Sequence, residues 1–510
     1  MENATTAATR DENLERFGYQ QDRGRTLRTF TSFAIGFSFI SITSGIFAAY
    51  GFMLTTSGPR GIWLWALVGG GQILIALIFM QFASRIPLAG YSYQWASRLT
   101  NPRVGWAFGW LSYAFLAVVV VAVDYGFASQ AFMPLFNIKE DLGTTQLVTV
   151  LTLVVQAGLI IISTRATALL NGAAVGAEVI GMVGLTIALL VAALISGDGS
   201  LSNLTSSGTI HDGPGSGYWS YNGPFMLGLL LGAYTIVGFE SAANLAEETS
   251  APTRTVPRAM LRAVTISVVV GMAFLIALTI ALPNIAQITN NDAPVPAVME
   301  AQLGSTFKTI FLVFVNVAIF TNGLVIMMSG SRLVHAMSRD GRFPGFQLFG
   351  RIFKPTRTPA WATLLIVAIG VFFTLLFSED ALVKLFTAGT ILPALIYLAT
   401  ILLYVGVRRK LVPTADGFDL GRWEPLVILG ALAWLTFELT VLLFPSQFWD
   451  SVKLVGVMLA LGAVVYVGMR VFNPRALEEE PGDAQLGADT QPGAPAVSAS
   501  TGGSTLRRKE

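Results

Sequence analysis

The sequence predicts an all-α membrane protein of twelve transmembrane helices, arranged as five, five and two. Three observations carry that prediction. Of 510 residues, 53% are hydrophobic and only 12% charged, where soluble proteins carry about 25%. The apolar residues fall in runs that can cross a hydrocarbon layer of about 30 Å, which takes about 20 residues of helix. Two of those runs are interrupted at matching depth. The first carries Ser41-Ile42-Thr43-Ser44-Gly45, and the sixth carries Tyr234-Thr235-Ile236-Val237-Gly238-Phe239-Glu240.

Taken in order, spans are expected near 30–54, 61–86, 104–133, 146–163, 170–195, 223–246, 257–281, 307–336, 359–378, 382–407, 425–445 and 451–472. The segment 1–29 ahead of the first span is polar and lacks the apolar core of a signal peptide, so the first span is read as its own targeting signal. The third and eighth spans are overlong, which implies tilt or extension beyond the lipid. The loop 196–222 is rich in Gly, Ser, Asn and Thr and holds no Lys or Arg. The transport core runs over 30–407, with halves 30–195 and 223–407, followed by two additional helices over 425–472. The tail 476–510 is Pro/Gly/Ala/Ser/Thr-rich and cannot bury a core, so it is expected to be disordered. Arg507-Arg508-Lys509 at its end is either solvated or placed to touch anionic lipid.

Twelve spans put both termini on one side. With these spans, 27 of the 32 Lys and Arg fall on that side, leaving Arg60, Lys139, Lys308, Lys384 and Lys453 on the other. The positive-inside rule then makes both termini cytoplasmic. An odd number of spans per half makes the second half enter the membrane from the opposite face, an inverted repeat. In each half the interrupted span comes first.

A break inside lipid frees backbone N–H and C=O groups, which is tolerable only where protein, water or a ligand satisfies them. The half-helix that begins after a break points its N-terminal dipole at the gap and favours an anion. The half that ends there offers carbonyls to a cation. Paired breaks therefore match a zwitterionic amino acid. One such Ser/Thr/Gly cluster alone is equally a site of close helix packing; two at matching depth favour a site.

Intramembrane acids are functional hypotheses by default. Glu178 lies roughly 12 Å into the fifth span, at 1.5 Å per residue, and is placed to carry a proton or to hold hydroxyls and backbone at the breaks. Glu240, just past the sixth-span break, carries a proton or holds the second half-helix. Asp124, towards the outer end of the third span, either selects cationic substrates such as a diamine or a basic amino acid, or faces a wet outer vestibule. Glu247 and Glu248 precede a loop with Arg254, Arg258 and Arg262; such pairs, with Arg339, Asp340 and Arg342, either latch a cytoplasmic gate or are solvated loop charge. Ser329 and Ser331 are weighed as sodium ligands. Asn316, Asn322 and His335 are read as helix–helix contacts.

Other chemistry finds no support. The chain has no Cys and only His211 and His335, too few for an all-His zinc site. Gly69-Gly70-Gly71 lies mid-span and lacks the Lys-Ser/Thr of a phosphate loop. No cofactor and no nucleic-acid partner are expected.

At four segments the chain resembles the amino acid–polyamine–organocation superfamily of permeases, most nearly its amino acid/choline branch. They are Ser41-Ile42-Thr43-Ser44-Gly45-Ile46-Phe47; Ile86-Pro87-Leu88-Ala89-Gly90-Tyr91-Ser92-Tyr93; Gly238-Phe239-Glu240 with Glu247-Glu248, Pro252, Arg254 and Val256-Pro257-Arg258-Ala259; and Ser338-Arg339-Asp340-Gly341-Arg342-Phe343-Pro344. The resemblance covers about residues 30–472. It implies a leucine-transporter-like five-plus-five inverted repeat with two extra C-terminal helices. It implies a substrate site of Ile42, Thr43, Ser44, Gly45, Tyr234, Thr235, Val237 and Gly238. Amides of Thr43, Ser44 and Gly45 would take the substrate carboxylate, and carbonyls near Tyr234, Thr235 and Val237 the amino group. Tyr234 would be a gate, joined by Glu248 and Arg258. Sodium-independent relatives often carry a Lys midway along the fifth span; this chain has Glu178 there instead. Glu178 and Glu240 are thus the candidate proton-coupling residues.

The expected function is secondary active transport of amino acids or related amines by alternating access, with proton symport ahead of exchange and of sodium coupling. The rival of another class is an amino acid sensor that binds without transport.

Overall fold

The structure is a computed structural model that describes residues 29–86, 90–197, 199–210, 217–376, 381–411 and 417–479. The expectations for 1–28, for the Pro87-Leu88-Ala89 motif, for His211 and for the tail beyond residue 479 lie outside them. The regular structure of the described residues is helical, and Phe353 and Thr358 form an isolated β-bridge.

The first apolar run is two helices, α1 (Thr29–Ile40) and α2 (Ile42–Ser57). The chain continues as α3 (Leu64–Arg85), α4 (Tyr91–Leu99), α5 (Pro102–Phe127), α6 (Leu142–Ile162) and α7 (Thr164–Ser196). The second interrupted run is the short α8 (Leu229–Thr235) followed by a 3₁₀ segment, Phe239–Glu248. Then come α9 (Pro252–Ile280), α10 (Pro294–Arg339), α11 (Ala360–Leu376), α12 (Ala381–Val407), α13 (Glu424–Leu443) and α14 (Trp449–Phe472).

Among the described residues, eleven helical stretches are long and apolar enough to cross a membrane; α11, at the expected ninth span, is a shorter apolar helix. The two overlong spans differ in build. The third is α5 extended by a π-helical turn over Ala128–Phe132 and a final turn to Leu135. The eighth lies inside α10, which joins two helices at Gly304 (φ 77, a backbone conformation open chiefly to glycine) and then runs unbroken through the whole expected span to Arg339.

Capping residues fix where the helices start. Asn101 accepts from Val104 N (3.0 Å) ahead of Pro102, and Asp141 accepts from Thr144 N (3.0 Å); both satisfy an amide that has no partner inside the helix. The helices differ in how deeply the bundle buries them. The stretches Phe30–Ser57, Pro102–Leu135 and Pro224–Ala243 are the most thoroughly covered. By contrast α14 turns Val457, Leu461, Val464 and Val467 outward, an apolar surface suited to lipid rather than water.

Packing brings the two interrupted runs to the centre. α8 lies on α2, and the 3₁₀ segment on α1. α5 and α10 pack together beside them, α9 covers α3 and α1, and α12 lies on α5. The two ends of the bundle are tied differently. At one end Ser57 Oγ donates to Pro224 O (2.8 Å), Tyr218 OH donates to Ser57 O, and Asn203 donates to Thr279 O and Leu282 O. At the end carrying Thr29, Ser32 and Thr249 share a hydroxyl hydrogen bond of 3.0 Å.

Candidate functional site

The first break is narrower than its sequence signal. Only Ser41 leaves the helix, at φ 36 and ψ 91, while Thr43, Ser44 and Gly45 already form the first turn of α2. A positive φ on a non-glycine residue is a strained state held by its surroundings. Here those surroundings are a closed network. Ser41 Oγ accepts from Ser44 N (3.3 Å) and Ser44 Oγ (2.9 Å) and donates to Glu178 Oε1 (2.9 Å), which also accepts from Thr43 N (3.2 Å). Glu178 is 3% exposed. Its carboxyl thus sits at the N-terminus of α2, the spot the backbone dipole reserves for an anion.

All three amides expected to take a substrate carboxylate are therefore engaged. Thr43 N bonds Glu178, Ser44 N bonds the Ser41 hydroxyl, and Gly45 N bonds Ser41 O at 3.1 Å. Across the break, the carbonyls of Ser38 and Phe39 accept from Asn322 Nδ2 of α10, at 2.6 and 2.9 Å. Asn322 is a helix–helix contact, and specifically the one that satisfies the end of α1. Asn316 bonds Ala131 O and Leu312 O, and His335 Nδ1 lies 3.4 Å from Phe349 O. Ser331 Oγ donates to Met328 O of its own helix at 2.9 Å, which leaves its oxygen lone pairs uncommitted.

The second break spans Ile236 to Gly238. Thr235 closes α8, Ile236 turns to ψ 56, and Gly238 adopts φ 83 before the 3₁₀ segment. A β-carbon on Gly238 would run into the Phe39 ring, so the position demands glycine twice over, for its dihedrals and for its lack of a side chain. Tyr397 of α12 ties this break down. Its hydroxyl accepts from Gly238 N and donates to Glu240 Oε2, both at 2.9 Å. Glu240 is thereby linked to the second break through Tyr397.

The two breaks touch. A β-carbon on Gly45 would collide with the Thr235 side chain, whose hydroxyl is turned back to Leu231 O at 2.6 Å. Ile42 is wholly buried and Val237 nearly so. The Tyr234 and Phe386 rings meet at a tilt of 43° with centres 4.5 Å apart, and the Tyr234 hydroxyl is buried without a partner. Arg258 is exposed on α9. The side chains of Glu247 and Glu248 lie outside the described residues.

Asp124 departs from one of its two readings. It faces no wet vestibule; it is 0% exposed, in α5. Gln156 of α6 donates to its Oδ1 at 2.8 Å, the same amide also donating to Phe320 O at 3.0 Å, while Asp124 Oδ2 has no partner. The loop charges after α10 also differ from solvated ones. Arg342 is 1% exposed and donates to Ser97 Oγ (2.6 Å), Tyr93 OH (3.2 Å) and Ala476 O (2.7 Å), and Tyr93 OH donates to Asp340 Oδ2 (2.6 Å).

A cavity of about 430 Å³ is lined by Tyr125, Gln130, Glu140, Asp141, Asp292 and neighbours. Burial, and then the carboxylate of Asp292, push Glu140 up to about 7.

Sequence reasoning missed a further acid. Glu438 of α13 is 1% exposed and its Oε2 has no partner. The signal was present, a lone carboxyl midway along an apolar run, but in the additional helices rather than in either half. The roles of Tyr397 and Gln156 carried no signal, because neither residue lies near a break in the chain.

The amino acid permease family matches residues 27–468 of this chain. The amino-acid permease BAT1 of Arabidopsis thaliana is 27% identical over 451 residues, covering 83% of this chain and 86% of its own. Amino-acid permease 2 of Neurospora crassa is 25% identical over 452 residues, covering 86% and 82%. The low-affinity putrescine importer PlaP of Escherichia coli K12 is 27% identical over 321 residues, covering 58% and 63%. With its helical fold, its apolar spans and a family match over most of its length, the chain belongs to the amino acid permease family, membrane transporters rather than enzymes.

Proposed function

We propose that this permease is a proton-coupled transporter of amino acids or related amines that works by alternating access. The fold would be twelve transmembrane helices, with α11 as the ninth, in a five-plus-five inverted repeat with α13 and α14 added. Both termini would be cytoplasmic, as the Lys and Arg count argues. The relatives named as amino-acid permeases and as a putrescine importer support the substrate class.

The observation that carries the coupling is Glu178 on the first break. An ionised Glu178 and a substrate carboxylate compete for one N-terminus, because both are anions drawn to the same amides. A protonated Glu178 is a poorer acceptor and yields Thr43 N. Proton and carboxylate then load together, and release of the proton expels the carboxylate. The amino group would meet the carbonyl end of α8 near Tyr234 and Thr235. Glu240 would be the second candidate for the proton, but its bond to Tyr397 favours a structural role.

Uptake into proteoliposomes tests this. An imposed proton gradient should drive accumulation in the wild type, and Glu178→Gln, a permanent mimic of the protonated state, should bind substrate while losing both that accumulation and its pH dependence. Retention of both would sink the role of Glu178. Stimulation by internal amino acid with indifference to the gradient would establish exchange instead, and binding with neither would establish a sensor.

A further inference from the structure

We infer that Asp124 is the anchor for a second ammonium group, so that the site is built for substrates carrying a cation at the end distal to their amino acid or amine head. This rests on the transporter reading above and names the part of the substrate that the two helix breaks do not recognise.

Three observations converge. First, a fully buried carboxyl with one bare oxygen and no ion pair among the described residues is an expensive arrangement. Gln156 fixes Oδ1 and leaves Oδ2 as the open acceptor. Second, the hydroxyl of Tyr234 is also buried and bare, and at Gly389 the Tyr234 ring and Val119 of α5, the helix that carries Asp124, come together. An ammonium offers three donors in a small volume, and a carboxylate oxygen with a phenolic oxygen gives it two acceptors, one of them charged. Third, both groups lie beside the breaks. Tyr234 adjoins Thr235, which touches Gly45, while Gly323, against which Asp124 Oδ1 lies, adjoins Asn322, whose amide holds the Ser38 and Phe39 carbonyls at the first break.

Glycine keeps the neighbourhood open. A β-carbon at Gly323 of α10 would strike Asp124 Oδ1 and Gln156 Nε2. A cavity next to this part of α5 is acidic. Tyr125, next in sequence to Asp124, lines the cavity that Glu140, Asp141 and Asp292 share. In the adjoining cavity, which Lys139 also lines, Lys308 is already paired with Glu300 at 3.0 Å. Clefts lined by acids concentrate cations at their mouths.

Lysine and norleucine separate this inference from its foundation, because they share a carbon chain and differ in the terminal ammonium. Calorimetry on the full chain in lipid nanodiscs should show the wild type preferring lysine to norleucine by at least about tenfold, or about 1.4 kcal/mol. It should also bind 1,5-diaminopentane. Asp124→Asn, which keeps the acceptor for Gln156, should bring the lysine-to-norleucine ratio to about one. Tyr234→Phe, which deletes a single hydroxyl, should narrow the ratio and decides the matter if the first variant does not fold. A wild type that binds norleucine as well as lysine overturns the inference and leaves the transporter reading standing. So does an Asp124→Asn protein that keeps the preference but loses proton-driven uptake, which would make Asp124 a proton carrier. A wild type that binds no amino acid or amine at all overturns the transporter reading itself.

Discussion

At the scale of the residue, the site depends on a few positions where one atom more is too many. Gly45 is the clearest, because its missing side chain is the space that Thr235 fills. Gly45→Val should abolish substrate binding by forcing the two breaks apart, at a stability cost of about 1–3 kcal/mol for an overpacked interior. Pairing the smaller change Gly45→Ala with Thr235→Gly, which removes all three Thr235 atoms that the new β-carbon would strike, should recover binding that Gly45→Ala alone loses, since contacting residues couple. Additive losses in calorimetry would show that the contact is incidental. The glycine itself was legible in the sequence, as part of a polar cluster inside an apolar run. Its partner was not, because Thr235 is 190 positions away in the chain and only the packing of α8 on α2 joins them.

At the scale of the element, the helix ends carry most of the chemistry. α2 begins on Ser41 and is capped by Glu178 from α7, while α1 ends on carbonyls held by Asn322 from α10. The loop between α5 and α6 places Glu140 beside Asp292, and its carboxyl is pushed up to about 7 by burial and then by that neighbour. The folded protein therefore holds this proton more tightly than the unfolded chain does. The contribution to stability is greatest at acid pH, declines as pH rises from the ordinary value of 4.5 to about 7, and is level above that. Thermal unfolding followed from pH 4 to 8 should show a decline that Glu140→Gln makes shallower; an unchanged profile would remove Glu140 from the account. The break in the first span was expected over five residues and occupies one, because a serine with a side-chain network needs no longer an interruption. The sixth-span break, expected over Tyr234 to Glu240, is confined to Ile236 to Gly238, where glycine takes φ 83.

At the scale of the whole molecule, Arg342 joins three parts of the chain. It bonds Tyr93 and Ser97 of α4, and the backbone of Ala476 just beyond α14, while Asn473 donates to Gly341 O at 3.0 Å. The loop after α10, the helix after α3 and the end of the last span are thus one assembly. Arg342→Gln should leave several buried polar groups without partners and lower stability by about 3 kcal/mol or more. The loss should show as a fall in the unfolding temperature of protein in nanodiscs, and a wild-type melting curve would refute it. The same motif reads in sequence as loop charge, and nothing local distinguishes a solvated arginine from one closed over by a segment 134 residues later.

By itself the sequence determined the class, the apolar spans and the two interrupted helices, because membrane solvation acts on each run of about 20 residues separately. It also singled out Glu178 and Glu240, since a carboxyl in an apolar run is costly wherever the run is packed. Tertiary structure alone decided what those carboxyls hold. It set Glu178 against the amides of α2, gave Glu240 to Tyr397, sealed Asp124 beside Gln156, and brought Gly45 against Thr235. Those pairings depend on which helix lies beside which, and that follows from packing over the whole bundle rather than from any pattern within one span.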